Sequence, residues 1–569
     1  MLNKKRTLLI GFVIAALMVS PAQAFAAPDL DEIGNWTEQA KNAVDPTGIY
    51  PPSTHDDISA AGISYSGYDD TKTEIIINEL ERYAKAYDSE SAVYDPETAV
   101  PLLVNELLDE FDKLYTQYEL LNIEHDRDAN NDATSRKASK VYEDFVDTSD
   151  RALQVLRDIL KGPYGGILKR QLTTDQQEFL SEYEDMTKRE KKLIKEEDAL
   201  VQEYDKLILN ADNYEKDNKK FARIYLRLVE IRRELAQIYG YKSYPAYAYK
   251  EVYSRDYSCK DARALAKNVK KYIVPLFSAS IDEFYDSDLY QLLLFGDDGD
   301  TILKRIAPYI DDIDPQLKRS FNYLRRHHTY DLDYTPNKLD VGYTVDLPQY
   351  GALYIFNNPY RETIDYTTTV HEFGHYNAGF HNMQHVLLAE QGSYDIAEIQ
   401  SQGLEMLFPD YYDELFGDAA DVASKETFTN ILSGVVTGCM YDEFQQEVFR
   451  DPNMNRKKLN ALSARLAEEY GLLESGYVDE EAAKYDWVAV THTFESPMYY
   501  ISYATSALSA LDILAESSDD RDAAVEKYMN VSAVKSDVPY LEGLKQCGLK
   551  NVFDKKTIKY ITKTIKEMN

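Results

Sequence analysis

Five consecutive residues, His371-Glu372-Phe373-Gly374-His375, set two imidazoles four positions apart with a carboxylate next to the first. On a helix, side chains four apart project from one face, so His371 and His375 can share a Zn²⁺ ion. Glu372 lies beside them, where it can take a proton from the water that such a site activates. A helix that merely buries two histidines is the bland alternative. Thr367 to Val370 lead into the motif and Asp365 is expected to cap its helix, so a continuous helix through His375 is predicted.

A catalytic zinc needs a third protein ligand and one open position. His381 lies ten residues after His371, the spacing of the long HExxHxxGxxH motif. That motif turns back at a Gly three residues after its second His, and here Ala378 stands there with Gly379 one step late. The rival is a downstream helix running from Glu398 to Glu405. These two glutamates are seven apart and share a face, so one can ligate while the other orients a ligand histidine. Glu398 is favoured over His381.

Attack on a peptide carbonyl builds an oxyanion, and positioned O–H or N–H donors stabilise that charge selectively. His492, Tyr500 and Tyr503 are suitable donors, and Tyr499, four before Tyr503, is a further candidate. In a chain with 47 tyrosines, such a cluster taken alone reads more readily as packing. Other candidates are weaker: His381 and His385 read as helix-surface residues or as partners behind the metal ligands, His327-His328 as a solvated basic patch, and Asp297-Asp298-Gly299-Asp300 as a solvated turn. No GxSxG, P-loop or dinucleotide fingerprint is present.

Three segments together resemble the M3 zinc peptidases, the thimet-type oligopeptidases and oligoendopeptidase F. Tyr350-Gly351-Ala352, then Asn357 and His371 to His375, is similar to the family's Gly-Ala strand leading into its metal helix. Glu398 to Glu405 is similar to its second metal helix, whose first Glu is the third ligand. His492 to Thr505 is similar to its late His/Tyr motif, and Arg232 to Asp256 is weakly similar to the oligoendopeptidase F branch. The resemblance covers roughly residues 220–515. It departs at Ala378, where many members carry another His, and in a shorter spacing before Tyr499.

The resemblance implies a mostly helical, multi-lobed metallopeptidase with a small β-sheet beside the HExxH helix and a deep substrate groove. It implies one Zn²⁺ per chain held by His371, His375 and Glu398, with Glu405 behind them and Glu372 as general base then acid. His492, Tyr500 and Tyr503 would stabilise the tetrahedral intermediate. Gly351 and Ala352 would belong to a substrate-binding strand, and the substrates would be oligopeptides cut at internal bonds. A metzincin-like protease using His381 and a non-catalytic secreted peptide-binding protein are the alternatives; the intact Glu372 argues against the second.

The elements that must position these groups are helical for most of the chain. Glycine and proline together make up 43 of 569 residues, too few for a loop-rich or all-β design. Thr174 followed by Gln177 reads as a capping box for a charged helix whose stripe is Tyr183, Met186, Leu193, Leu200, Tyr204 and Leu207. After a break at Asn210–Asn213, Ile224, Leu228, Ile231, Leu235 and Ile238 mark a second helix that stops at Gly240. Two such helices suggest an antiparallel hairpin. The one clear strand signal is Gln349 to Phe356; at a sheet edge it could pair with an extended peptide.

The N-terminus reads as an address. Lys4, Lys5 and Arg6 precede an apolar stretch from Thr7 to Ser20, and Ala22-Gln23-Ala24 is a small-x-small cleavage site. The expected organisation is a signal peptide over 1–26, an irregular extension over 27–70, a helical region over 71–215 and a zinc peptidase region over 216–569. Export to the extracellular or cell-envelope space follows, with a mature chain starting near Phe25 or Ala27 and no stable membrane insertion. The formal charge of −35, or −38 once the three basic residues are removed (60 basic against 98 acidic), repels phosphate backbones and excludes nucleic acid as a partner. Three cysteines are too few for a disulfide scaffold.

Overall fold

Long helices and one three-stranded sheet make up the described part of the chain in a computed structural model that describes residues 68–568, except 86–94, 129–131, 184–186, 212, 286–295, 337, 340, 390–391 and 536–537. The expected signal peptide and nearly all of the extension lie outside the described residues. So does Met186.

The N-terminal helices α1 (Asp70–Lys85), α2 (Pro96–Arg127) and α3 (Asp132–Lys161) bury one apolar stripe each, among them Leu80, Leu107, Phe111, Leu153 and Leu156. The predicted charged helix is two: α4 (Thr174–Glu182) and α5 (Lys188–Leu209). The cap of α4 is Thr173 with Gln176, one residue before the predicted pair, and a second capping box, Thr187 with Glu190, starts α5. α6 (Tyr214–Ile238) follows the expected break, packs on α5 and ends where Gly240 takes φ +81°. Burial of Ile224, Leu228, Ile231 and Leu235 confirms the stripe, whereas Ile238 is exposed. The acidic run at 297–300 is a helix start, since the Asp298 side chain accepts from the Thr301 N–H.

The sheet has the order β1 (Tyr330–Asp331), β3 (Ala352–Asn357), β2 (Gly342–Leu347). β3 is thus the middle strand, parallel to β1 at Ile355 and Phe356 and antiparallel to β2 along its whole length. It begins later than the sequence suggested: Pro348–Tyr350 form a 3₁₀ turn, and Gly351 caps it at φ +56°. Every side chain of β3 is buried, which fits a strand covered on both faces. Tyr343, Val345, Leu347, Ala352, Tyr354 and Phe356 pack against Leu120 and Ile123 of α2. Leu353 and Ile355, on the opposite face, join the large core that spans most of the chain.

Against that face lies α7 (Ile364–Asn382), which continues without interruption through the HExxH residues. Its N-cap position is Thr363, with no side-chain cap. Asp365 instead accepts the N–H groups of Tyr360 and Glu362, bracing the loop that enters the helix. After α7 the chain places Val386, Leu387 and Leu388 in the N-terminal helical core, and Asp112 there accepts from the Val386 N–H. α8 (Tyr394–Glu405) and α9 (Ala420–Arg450) then pack against α7, and α10 (Ile501–Ser517) packs on α8 and α9. Among the described residues no helix is long and apolar enough to cross a membrane, and all three cysteines are free thiols.

Candidate metal centre

The site exists because α7 and α8 approach closely, and glycine inside the motif permits it. A Cβ on Gly374 would lie 2.4 Å from the Gln400 carbonyl oxygen and 2.6 Å from the Ser401 Cα. No larger residue lets the two backbones meet at this point.

That approach carries Glu398 to the two histidines. Its Oε2 lies 3.8 Å from His371 Nε2 and 4.0 Å from His375 Nε2. The three ligand-capable atoms all lie within 4.8 Å of one another. Ligand atoms around a tetrahedral zinc at roughly 2.0–2.2 Å sit about 3.4 Å apart. A small inward movement of these side chains reaches that spacing. His375 Nε2 and Glu398 Oε2 are buried and have no hydrogen-bond partner among the described residues. Two such orphaned atoms facing each other are costly unless a cation satisfies both. The donor set, two imidazoles and a carboxylate, is one that zinc accepts. The residues therefore fit the ion.

Two of the candidate ligands are held by partners at their remaining atoms. His371 Nδ1 is 2.5 Å from Glu405 Oε1, and the Tyr499 hydroxyl donates to Glu398 Oε1 at 2.8 Å. Burial lowers the His371 pKa, but the Glu405 bond and charge outweigh it and carry the value up to about 9. His375 gains no such partner; burial, then the His371 charge, push it well below its usual range, leaving a neutral ring that can ligate. Burial raises Glu398 to about 7, against the opposing pull of His371 and Tyr499.

Glu372 is buried on α7, and Thr344 of β2 donates to its Oε2 at 2.8 Å and to its carbonyl at 3.0 Å. The carboxylate is thereby fixed in direction, with its other oxygen left for chemistry. Burial raises its pKa.

The late motif reaches the same place from α10 and the turn before it. Tyr503 and His492 are bonded to each other, hydroxyl to Nε2, at 3.3 Å. Burial, then the charges of Glu398, Tyr500 and Glu372, hold the Tyr503 hydroxyl protonated far above its usual range. Tyr503 thus lies within electrostatic reach of both a candidate ligand and the candidate base. Tyr500 packs its ring edge-on against Tyr441 at 5.2 Å, His492 at 5.3 Å and Tyr503 at 5.1 Å, with Thr437 of α9 beside its hydroxyl. Tyr499 is committed to Glu398.

His381 lies on the same unbroken helix as His371, about 15 Å further along its axis at 1.5 Å per residue, and cannot turn back to the cluster. His385 pairs with Asp112 at 2.6 Å. A cavity of about 540 Å³ lined by Glu468, Leu473, Gly476, Val478, Asp479 and Glu480 shares no residue with the cluster. Thr344 and Gly374 were missed from sequence. The alternating run Tyr343-Thr344-Val345 could have announced β2, but not its partner on α7.

No family profile and no curated protein sequence matches the chain. Solved structures do match its fold. PZ peptidase A with an inhibitor aligns at TM-score 0.72 and 18% identity, covering 89% of this chain and 98% of that one. A Bacillus anthracis protein assigned as an oligoendopeptidase F aligns at 0.67 and 18%, with the same coverage. Metallocarboxypeptidase 1 of Trypanosoma cruzi aligns at 0.51 and 11%, covering 85% and 98%. The chain has the helical fold of the oligoendopeptidase F-type structures, the fold its motifs led us to expect.

Proposed function

We propose that this protein is a zinc-dependent endopeptidase, with one zinc per chain, that hydrolyses internal bonds of oligopeptides. The observation that carries the reading is the convergence of His371, His375 and Glu398, two of them with orphaned buried atoms, beside a Glu372 carboxylate held by Thr344. The fold shared with PZ peptidase A and the oligoendopeptidase F-type protein supports it.

His371, His375 and Glu398 would hold the ion, which when bound supplies a Lewis acid that makes water nucleophilic near neutral pH. Glu372 accepts the proton of the attacking water and returns it to the leaving amine. Thr344 keeps the carboxylate aimed throughout. Tyr503 and His492 share one hydrogen bond, and the Tyr503 hydroxyl and a His492 N–H are the donors offered to the carbonyl oxygen as charge develops on it. Tyr499 and Glu405 act on the ligands, Tyr499 on Glu398 and Glu405 on His371.

A non-catalytic peptide binder has no use for an oriented Glu372, and a His381 ligand is disfavoured by the straight helix. Export of the mature chain belongs to the same reading and rests on residues 1–26 of the sequence alone.

The test is a ladder of quenched fluorescent peptides of increasing length, assayed with and without chelator, alongside metal analysis. Internal cleavage of short peptides that stops on chelation and returns with zinc is expected. Chelator-resistant cleavage, or no cleavage by metal-loaded protein, contradicts the proposal.

A further inference from the structure

Among the described residues four non-glycine residues have positive φ, and two of them, Ser254 (48°) and Met498 (71°), lie on either side of one buried side chain, Arg255. Ser254 precedes it directly, after a π-helical turn at Ala248–Val252. Met498 immediately precedes Tyr499. Left-handed backbone at a residue with a Cβ is costly and persists only where its surroundings hold it.

The holding contacts are specific. Arg255 donates to the carbonyls of Met498 at 2.8 Å and Tyr499 at 3.2 Å, and to the Ser502 hydroxyl at 2.8 Å. From the other direction the Met498 N–H donates to Gln445 Oε1 of α9 at 2.7 Å, and the Tyr253 hydroxyl donates to the Pro497 carbonyl at 3.0 Å. Arg255 is itself anchored on Asp395 at 3.2 Å, which also accepts from Tyr257 at 2.7 Å and from Thr505. Asp395 stands on α8, three residues and one turn before Glu398. A single guanidinium therefore ties the helix bearing the third ligand to the turn bearing the tyrosine that grips that ligand.

We infer that Arg255 and Gln445 are positioning residues, a clamp that holds the left-handed Met498 turn so that Tyr499 fixes Glu398 in its ligating orientation. This rests on the proposed zinc site. The clamp touches neither substrate nor ion; its effect passes through Tyr499. An Arg is suited to it, because its planar fork serves three acceptors and a carboxylate together, which a lysine ammonium cannot.

The test is zinc affinity, measured by competition with a chromophoric chelator, in a double-mutant cycle between Arg255→Lys and Tyr499→Phe. Each single variant should weaken zinc about tenfold or more, in the range seen when outer partners of ligands are lost. The double variant should be less than threefold weaker than the weaker single one, because both act through the same bond. Circular dichroism and a cooperative melt establish that each variant is folded. If Arg255→Lys fails to fold, Gln445→Leu replaces it in the cycle and carries the same expectation. A folded clamp variant with wild-type zinc affinity, or losses that multiply, overturns the clamp while leaving the zinc site standing. Wild-type protein that binds no zinc overturns both.

Discussion

Glu405 reaches across from α8 to place a carboxylate oxygen 2.5 Å from His371 Nδ1, on the side of the ring away from Glu398. This bond fixes which ring nitrogen faces the candidate metal position, and it would raise the basicity of His371 as a ligand. The two glutamates of one helix face thus have different tasks. Glu398 offers an orphaned oxygen, whereas Glu405 is committed to a histidine.

Replacing these glutamates should separate the tasks. Glu398→Ala is expected to lose stoichiometric zinc on dialysis, while Glu405→Ala retains it with affinity lowered about 10–100-fold. His381→Ala should bind zinc as the unmodified protein does. Metal content after dialysis, with chelator competition, checks all three.

Gly374→Ala adds one methyl at the point where α7 and α8 meet, 2.4 Å from a backbone oxygen that cannot swing aside. The helices must part, at a cost of about 1–3 kcal/mol for overpacking. A lower melting temperature and a loss of zinc affinity are expected together. Gly434→Ala, on α9, is the control: its nearest contact would be 4.0 Å away.

The tyrosines should divide by readout. Tyr503→Phe is expected to lower kcat by about 10²–10³ with little change in KM, as loss of an oxyanion donor does. His492→Ala should act on the same quantity. Tyr499→Phe should instead weaken zinc, and Tyr500→Phe, whose hydroxyl lies beside Thr437 of α9, should leave turnover within about threefold. Steady-state kinetics beside zinc titration distinguishes these patterns.

Stability should depend on pH through Glu426, a buried residue whose Oε2 accepts from the Thr363 hydroxyl at 2.7 Å. Burial raises its pKa from 4.5 to about 7. The folded chain then binds this proton more tightly than the unfolded one. Its contribution is fully present below about pH 4.5 and is lost as pH rises through about 7. Glu426→Gln keeps the acceptor without the charge. It should be more stable than the unmodified protein at pH 8, on the order of 1–3 kcal/mol, with the gap narrowing toward pH 5. Denaturant melts at the two pH values check this.

Much of the site was legible because it is local. His371, Glu372 and His375 are set by one helical turn, and Glu398 with Glu405 by two. What was not legible depends on chain segments meeting. Thr344 reaches Glu372 across 28 residues, and Arg255 reaches Met498 across 243. Nothing in either local sequence names the partner. The strand was foreseen at Gln349–Phe356 and lies at Ala352–Asn357, but its place in the middle of the sheet depends on β1, only two residues long, and on β2 pairing along its other side. The cap of α4 was misplaced by one because Thr173-Thr174 and Gln176-Gln177 are doublets, so two capping boxes fit equally well. The start of α5 was overlooked although Thr187 and Glu190 spell a capping box of their own.

The central claim is that Glu372 moves protons and does not hold the metal. Glu372→Gln keeps the size of the side chain and a hydrogen-bonding oxygen for Thr344, but removes the base. Zinc content and peptide turnover, measured on the same preparation, test the claim most directly. We expect about one zinc per chain, as the three-ligand site provides, with turnover reduced by orders of magnitude. A variant that retains zinc and cleaves peptides at the unmodified rate would contradict it.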